Sequence, residues 1–128
     1  MKIITTIDDL RKIAKKRVPR MFFDYIASGS WTESTLKANT ADFEKLFFRQ
    51  RVAVDILNRT IASHMASQPV TMPIALAPTG LTGMVHADGE ILAAQAAEAF
   101  GVPFTLSTMS ICSIEDVANN SGSISNSF

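Results

Sequence analysis

Hydrophobic positions follow two different rhythms along the chain. In the first third they recur at helical spacing. Leu10, Ile13 and Ala14 fall on one face, with Arg11, Lys12, Lys15 and Lys16 on the other, so the spacing predicts a short amphipathic helix. Thr6 stands at its start as an N-cap, and Asp9 takes the capping-box position with a shorter arm than glutamate. Pro19 breaks this helix and opens the next as a first-turn residue. The apolar run Met21-Phe22-Phe23-Asp24-Tyr25-Ile26-Ala27 then leads to Ser28-Gly29, read as a C-terminal cap. Leu36, Thr40, Phe43 and Phe47 keep roughly helical spacing through Lys45. Residues 46–55 turn extended, with charges between apolar residues, and residues 56–68 read as a strand or loop crossing the surface.

The second rhythm is that of an α/β protein. Residues 72–77, Met-Pro-Ile-Ala-Leu-Ala, form a small-and-aliphatic run that predicts a buried strand. It stops at Pro78-Thr79-Gly80, and Gly83 follows three residues later. Proline cannot donate inside a central ladder, and the glycines allow a sharp turn or a close ligand. Residues 90–100 predict an Ala-rich helix with Gly101 as its C′ residue. Residues 102–107 predict a second buried strand, and Ser113 with Asp116 marks a further helix start. Residues 73–118 therefore read strand, loop, helix, strand, loop, helix. Two such units in succession imply a parallel sheet with right-handed crossovers. Both strands end in hydroxyl-bearing loops on one edge, where Thr79, Ser107 and backbone N–H groups can converge on a flat polar ligand.

Composition narrows the class. The chain has 128 residues, 47% of them hydrophobic, which is enough for one globular domain with a core. Lys+Arg and Asp+Glu are balanced at 12 each, so no overall basic field argues for nucleic acid. The basic face of the first helix reads as a solvated face, with an anionic surface as the alternative. The single cysteine, Cys112, excludes an internal disulfide and fits a reducing compartment. Asp8-Asp9 and the basic residues after them interrupt any secretion-signal core, and no run approaches a membrane span. A cytoplasmic location is expected, with peripheral attachment to the inner face of the cell membrane also open. No metal ligand set is predicted. His64 has no second ligand at metal spacing, His86 has no partner that marks it as a base, and Cys112 has no activating cation nearby in sequence. Tyr25, the one tyrosine, has two readings: a core aromatic whose hydroxyl bonds the backbone, or a functional hydroxyl.

Several stretches together carry a family resemblance. They are Asp24-Tyr25-Ile26-Ala27-Ser28-Gly29, Phe48-Arg49-Gln50-Arg51, residues 72–80, Gly89-Glu90, Phe104-Thr105-Leu106-Ser107-Thr108, and Ile114-Glu115-Asp116-Val117-Ala118. In this order and at these spacings the chain resembles the N-terminal portion of the FMN-dependent α-hydroxy-acid oxidases and dehydrogenases. The match runs from about Ile7 to Ala118. Residues 106–118, Leu-Ser-Thr-Met-Ser-Ile-Cys-Ser-Ile-Glu-Asp-Val-Ala, look most like the bacterial L-lactate dehydrogenase branch. The resemblance implies a fold class of α/β type: the N-terminal helices and about two βα units of a (β/α)8 TIM barrel, with FMN at the carboxyl ends of the strands. Tyr25 matches the tyrosine that hydrogen-bonds the substrate carboxylate. Ala77, Pro78, Thr79 and Gly80 match the loop whose backbone lies against the flavin ring, and Ser107 matches a serine that contacts the flavin.

The implied reaction is FMN-dependent oxidation of an L-2-hydroxy acid, with L-lactate to pyruvate leading and glycolate or another 2-hydroxy acid as alternatives. A small 2-hydroxy acid, and a respiratory-chain acceptor or oxygen, are the implied partners. A homo-oligomer is left open, and no nucleic-acid partner is expected. The family's catalytic histidine and its neighbouring arginine match no position here, so no catalytic residue is carried over.

Residues 1–118 are read as the N-terminal part of the dehydrogenase domain and residues 119–128 as a divergent polar tail, with the chain as a truncated fragment. The alternative is a non-catalytic truncated product or interaction fragment. Two strands cannot close a barrel, and their edges would carry unpaired backbone groups. The 128-residue chain alone is therefore expected to be unstable or aggregating and not to turn over 2-hydroxy acids. A purified monomer with yellow FMN absorbance and lactate-dependent dye reduction would refute this.

Overall fold

The computed structural model describes residues 3–122. The chain divides into two compact units, Met1–Leu57 and Asn58–Phe128.

In the first unit, helix α1 spans Ile7–Arg17 and starts with the expected reciprocal capping box between Thr6 and Asp9. Lys12 pairs with Asp8 at 2.6 Å one turn away, both well exposed. Helix α2 spans Arg20–Ala27, and Pro19 precedes it as the N-cap, one position before the first-turn place expected for it. Phe23 is its buried residue. The helix ends at Ser28, but the cap differs from the expectation. Ser28 is extended, and Gly29 takes no left-handed conformation. Gly29 is needed for proximity instead: a Cβ there would lie 3.0 Å from Leu36 Cβ. Its N–H donates to Glu33 Oε1 at 3.1 Å. Helix α3, Ser34–Ala41, continues into a 3-10 turn over Asp42–Lys45, completing the helical stretch predicted through Lys45.

In the second unit, strands β1 (Ser63–Met65) and β2 (Gln68–Val70) form a small antiparallel hairpin. Ala66 and Ser67 at its tip both have positive φ, the backbone that matches strand twist in a two-residue turn. The sequence offers no Asn-Gly or Asp-Gly there, so the hairpin had no turn signal of its own.

The two expected strands are present in shortened form. Leu76 and Phe104 make an isolated parallel bridge. Leu76 N–H donates to Pro103 O at 2.9 Å, and Thr105 N–H donates to Leu76 O at 3.1 Å. In a parallel ladder the next rungs need N–H groups at residues 103 and 78. Both are prolines, so the ladder stops after one bridge. The expectation that both strands are buried is corrected, since none of residues 72–77 or 102–107 is buried. Ile74 is 56% exposed and Leu76 39%. A parallel strand needs cover on both faces, and the described residues do not supply it there.

Helix α4 is a single turn, Thr82–Val85, inside the loop that follows. Helix α5 spans Gly89–Phe100 and buries Ala94 and Ala97. It ends at Gly101 in the left-handed conformation, φ +68°, as a C′ glycine. Helix α6, Ile114–Asn120, packs on α5. Val117 is buried, and Gln95 Nε2 donates to Asn120 O at 2.7 Å. Ser113 caps α6 by accepting from Asp116 N–H, while its hydroxyl donates to the Asp116 carboxylate at 2.7 Å. Asn119 and Asn120, from the segment read as a polar tail, belong to this helix. Ser121 closes it, its hydroxyl donating to Val117 O at 2.6 Å. Residues 123–128 of that tail lie outside the described residues.

Gly101 tests this packing. Its positive φ disfavours any L side chain, and a Cβ would sit 2.6 Å from Thr71 Cγ2. Gly101→Ala should lower stability by about 1–2 kcal/mol from the left-handed backbone alone. The urea midpoint followed by far-UV circular dichroism should fall accordingly, and an unchanged midpoint would refute the cap.

Candidate functional site

Two loops at the ends of the bridged segments build the site. The first runs from Ala77 to Gly83. Thr82 Oγ1 donates to Thr79 O at 3.0 Å, and Thr79 Oγ1 lies 3.4 Å from Ala77 O. Leu81 holds a left-handed conformation at φ 56°, a costly state for a branched side chain. The second loop runs from Ser107 to Cys112. Ser107 Oγ accepts from Met109 N–H at 3.1 Å, which leaves its own proton free to donate. Ser110 N–H donates to Ser107 O, and Ser110 Oγ to Cys112 O at 2.8 Å.

The loops touch closely. Leu81 N–H donates to Met109 O at 2.9 Å. A Cβ on Gly80 would lie 3.2 Å from Met109 Cβ and 3.7 Å from Ser107 Oγ. One on Gly83 would meet Ile111 Cβ at 2.7 Å. Neither glycine takes positive φ. Their smallness serves loop-to-loop approach, not the sharp turn that the sequence alone also allowed.

Glu90, in the first turn of α5, joins the two loops. Its side chain is 2% exposed. Oε1 accepts from Gly83 N–H of the first loop and from Ile111 N–H of the second, each at 3.1 Å. Oε2 is buried with no hydrogen-bond partner among the described residues. Burial pushes this carboxyl up, but the N–H donors of Ile111, Glu90 itself and Gly83, with the Cys112 thiol, outweigh it and hold it below the ordinary glutamate range. Burial, followed by the neighbouring Glu90 carboxylate, pushes the Cys112 thiol up, which agrees with reading it as no nucleophile.

A cavity of about 260 Å³ lies beside these loops. Thr79, Thr82, Glu90 and Ser107 give it polar groups, and Leu76, Ala77, Ala93 and Phe104 its apolar wall. Of the expected flavin-facing residues, Ala77, Thr79 and Ser107 line it directly, and Gly80 abuts Ser107. Pro78 lies between lining residues without joining them. Ligand pockets commonly run from about 300 to 1,000 Å³, so this cavity is smaller than most.

Tyr25 lies on α2 in the first unit and is 69% exposed. Its hydroxyl has no hydrogen bond among the described residues, so the core-aromatic reading is overturned. His86 Nδ1 sits 2.7 Å from Ala87 O on an exposed side chain, and His64 is exposed on β1. No group of three His, Cys, Asp or Glu suited to a metal occurs among the described residues. No helix among them is long and apolar enough to cross a membrane. Glu90 and Thr82 are the site residues that sequence reading missed. An acid directly after glycine at the head of an Ala-rich helix was the available signal, but its partners lie in two separate loops.

The profile of the family described as FMN-dependent dehydrogenase matches residues 14–127. An L-lactate dehydrogenase of Vibrio cholerae serotype O1 is 47% identical over 116 residues, covering 91% of this chain and 31% of that protein. One from Azorhizobium caulinodans is 45% identical over 115 residues, covering 90% and 30%. Among solved structures, a soluble mutant of the membrane-associated (S)-mandelate dehydrogenase from Pseudomonas putida superposes with a TM-score of 0.85 at 35% identity. The match covers 93% of this chain and 34% of that one. A mandelate oxidase superposes with a TM-score of 0.84 at 32% identity, covering 92% and 34%. The chain thus spans about a third of the length of the relatives it matches, and it is a partial piece of the fold they share.

The carboxylate of Glu90 gives the site a pH signature. A lowered folded pKa stabilises the fold at pH values above the ordinary glutamate pKa of about 4.3, and that contribution is lost as pH falls through the folded value. In acid titrations followed by circular dichroism, the wild-type chain should lose more stability between about pH 5 and pH 3 than Glu90→Gln does. Equal losses would contradict an ionised Glu90.

Proposed function

The chain belongs to the FMN-dependent dehydrogenase family, and on that premise we propose that it supplies the flavin-facing and carboxylate-binding part of an L-2-hydroxy-acid dehydrogenase, with L-lactate oxidised to pyruvate. One observation carries this reading: the Pro-Thr-Gly loop and the Ser107 loop meet around one cavity. The donor set suits a flat, polar ring system. Backbone at Ala77, Pro78, Thr79 and Gly80 can lie along its face, with the missing Gly80 side chain letting the Ser107 loop close in beside it. Ser107 keeps a hydroxyl proton to donate to a ring acceptor. Bound FMN would take up the two electrons released by the hydroxy acid.

The exposed Tyr25 hydroxyl is free to donate to a substrate carboxylate, a bond to a charged acceptor and thus a strong one. The L-lactate preference is supported by the L-lactate dehydrogenases at 45–47% identity, with glycolate or another 2-hydroxy acid as the competing substrates. No residue of this chain is assigned as the proton acceptor. A respiratory-chain acceptor or oxygen would reoxidise the flavin, and a peripheral position on the inner membrane face would suit the former. Residues 1–118 form part of the dehydrogenase domain in this reading.

A second reading, a non-catalytic interaction fragment, is favoured by one feature, the exposed apolar segment at Ile74 and Leu76.

Grafting residues 7–118 into the Vibrio cholerae relative in place of its matching segment separates the two. The chimera should purify with bound FMN and reduce dye with L-lactate in preference to glycolate. Tyr25→Phe should raise its KM for L-lactate about 10- to 100-fold, as expected for loss of one hydrogen bond to a charged group. A chimera that folds but holds no FMN would exclude the cofactor role, and a glycolate preference would exclude the lactate assignment.

A further inference from the structure

We infer that Glu90 is the positioning residue that holds the two cofactor-facing loops in register with each other. The inference rests on the flavin reading above for its functional meaning, but the geometry stands by itself. One oxygen, Oε1, takes N–H donors from both loops, Gly83 and Ile111, at equal distances of 3.1 Å. A direct backbone bond also joins the loops, from Leu81 N–H to Met109 O. The side chains around that bond anchor little: Met109 is 63% exposed and Ile111 55%. Leu81 between the glycines is in a left-handed conformation that persists only where its surroundings over-determine it. Glu90 supplies such a constraint two residues further on, at Gly83.

The residue is also well placed for the task. It projects from the first turn of a twelve-residue helix that is anchored through Ala94 and Ala97, so its backbone is held by the core. A buried carboxylate with one oxygen unpartnered carries a desolvation cost. The bonds from Gly83 and Ile111 offset part of that cost, which ties the loops to the ionised acid. If the acid is removed, Gly83 and Ile111 lose their shared acceptor, and the Gly80–Ser107 approach that borders the cavity loses its brace. Glu90 borders the cavity, but its carboxylate is engaged with the two loops rather than with a ligand. It acts through the loops.

The test uses the full 128-residue chain and peptide-level amide exchange, which reads amides in any assembly state. In Glu90→Ala, the amides of Gly83 and Ile111 should exchange about 10- to 100-fold faster, the range for losing a hydrogen bond to a charged group. Glu90→Gln retains an oxygen that can accept both N–H groups and should stay within about threefold of wild type. In the chimera carrying residues 7–118, FMN binding, read by flavin fluorescence quenching, should weaken about tenfold in Glu90→Ala and recover in Glu90→Gln. Val117→Ala, in the α5–α6 core, should lower the urea midpoint while leaving FMN affinity within about threefold. If Glu90→Ala fails to fold, Glu90→Asp, which keeps the charge on a shorter arm, should show the same release of both amides.

Unchanged exchange at Gly83 and Ile111 in Glu90→Ala, or in Glu90→Asp where the alanine variant does not fold, would overturn the inference. So would a Val117→Ala effect on FMN affinity as large as that of Glu90→Ala. A chimera that folds but binds no FMN, with both amides still released in Glu90→Ala, would overturn the flavin reading alone and support the brace.

Discussion

A buried carboxylate oxygen shared between two backbone N–H groups is the constraint on which the second unit depends. Glu90 Oε1 reaches one loop through Gly83 and the other through Ile111. Each bond by itself is ordinary in length. Their value comes from burial, because an acid this far from water has to keep its donors or lose the advantage of being charged. The helix that carries Glu90, the turn that follows the first bridged segment and the loop that follows the second are thereby referred to one point. The cavity wall of Thr79, Thr82 and Ser107 depends on the same point.

Close approach is the second requirement, and small residues meet it. Gly83 lets Ile111 come to a distance at which a Cβ would collide, and Gly89 does the same for Thr82, 2.8 Å from where a Cβ would be. Ala94 and Ala97 are the small buried residues of α5. Gly101 differs from these, because its role is conformational and its φ is positive. The glycines around the loops thus solve a distance problem, and the one after α5 solves a torsion problem. Both kinds look alike in a sequence.

The exposed apolar segment is the counterpart of this order. Ile74 and Leu76 have the composition of a strand covered on both faces, yet they stand open in the chain as described. Prolines at 78 and 103 limit their pairing to one bridge. Apolar pattern therefore reports the environment for which a segment is suited, whereas pairing and cover depend on what else is present. The relatives, about three times as long, are consistent with cover supplied elsewhere in a larger fold.

Local chemistry was legible in the sequence. The capping box of Thr6 and Asp9, the start at Pro19, the left-handed end at Gly101 and the Ser113 cap all depend on residues within one turn of each other, so a linear reading captures them. The family was legible too, because its motifs are collinear, and the family profile matches residues 14–127, most of the same stretch. Other features needed tertiary structure. The hairpin at Ala66-Ser67 has no sequence signal, the prolines curtail a ladder only once the register is known, and Tyr25 could be core or surface until its exposure was seen. Glu90 is the clearest case. The sequence determined an acid at the head of a helix. Only the fold decided that its oxygen would meet two distant loops, because a hydrogen bond between residues remote in sequence exists only where chain packing brings donor and acceptor within about 3 Å.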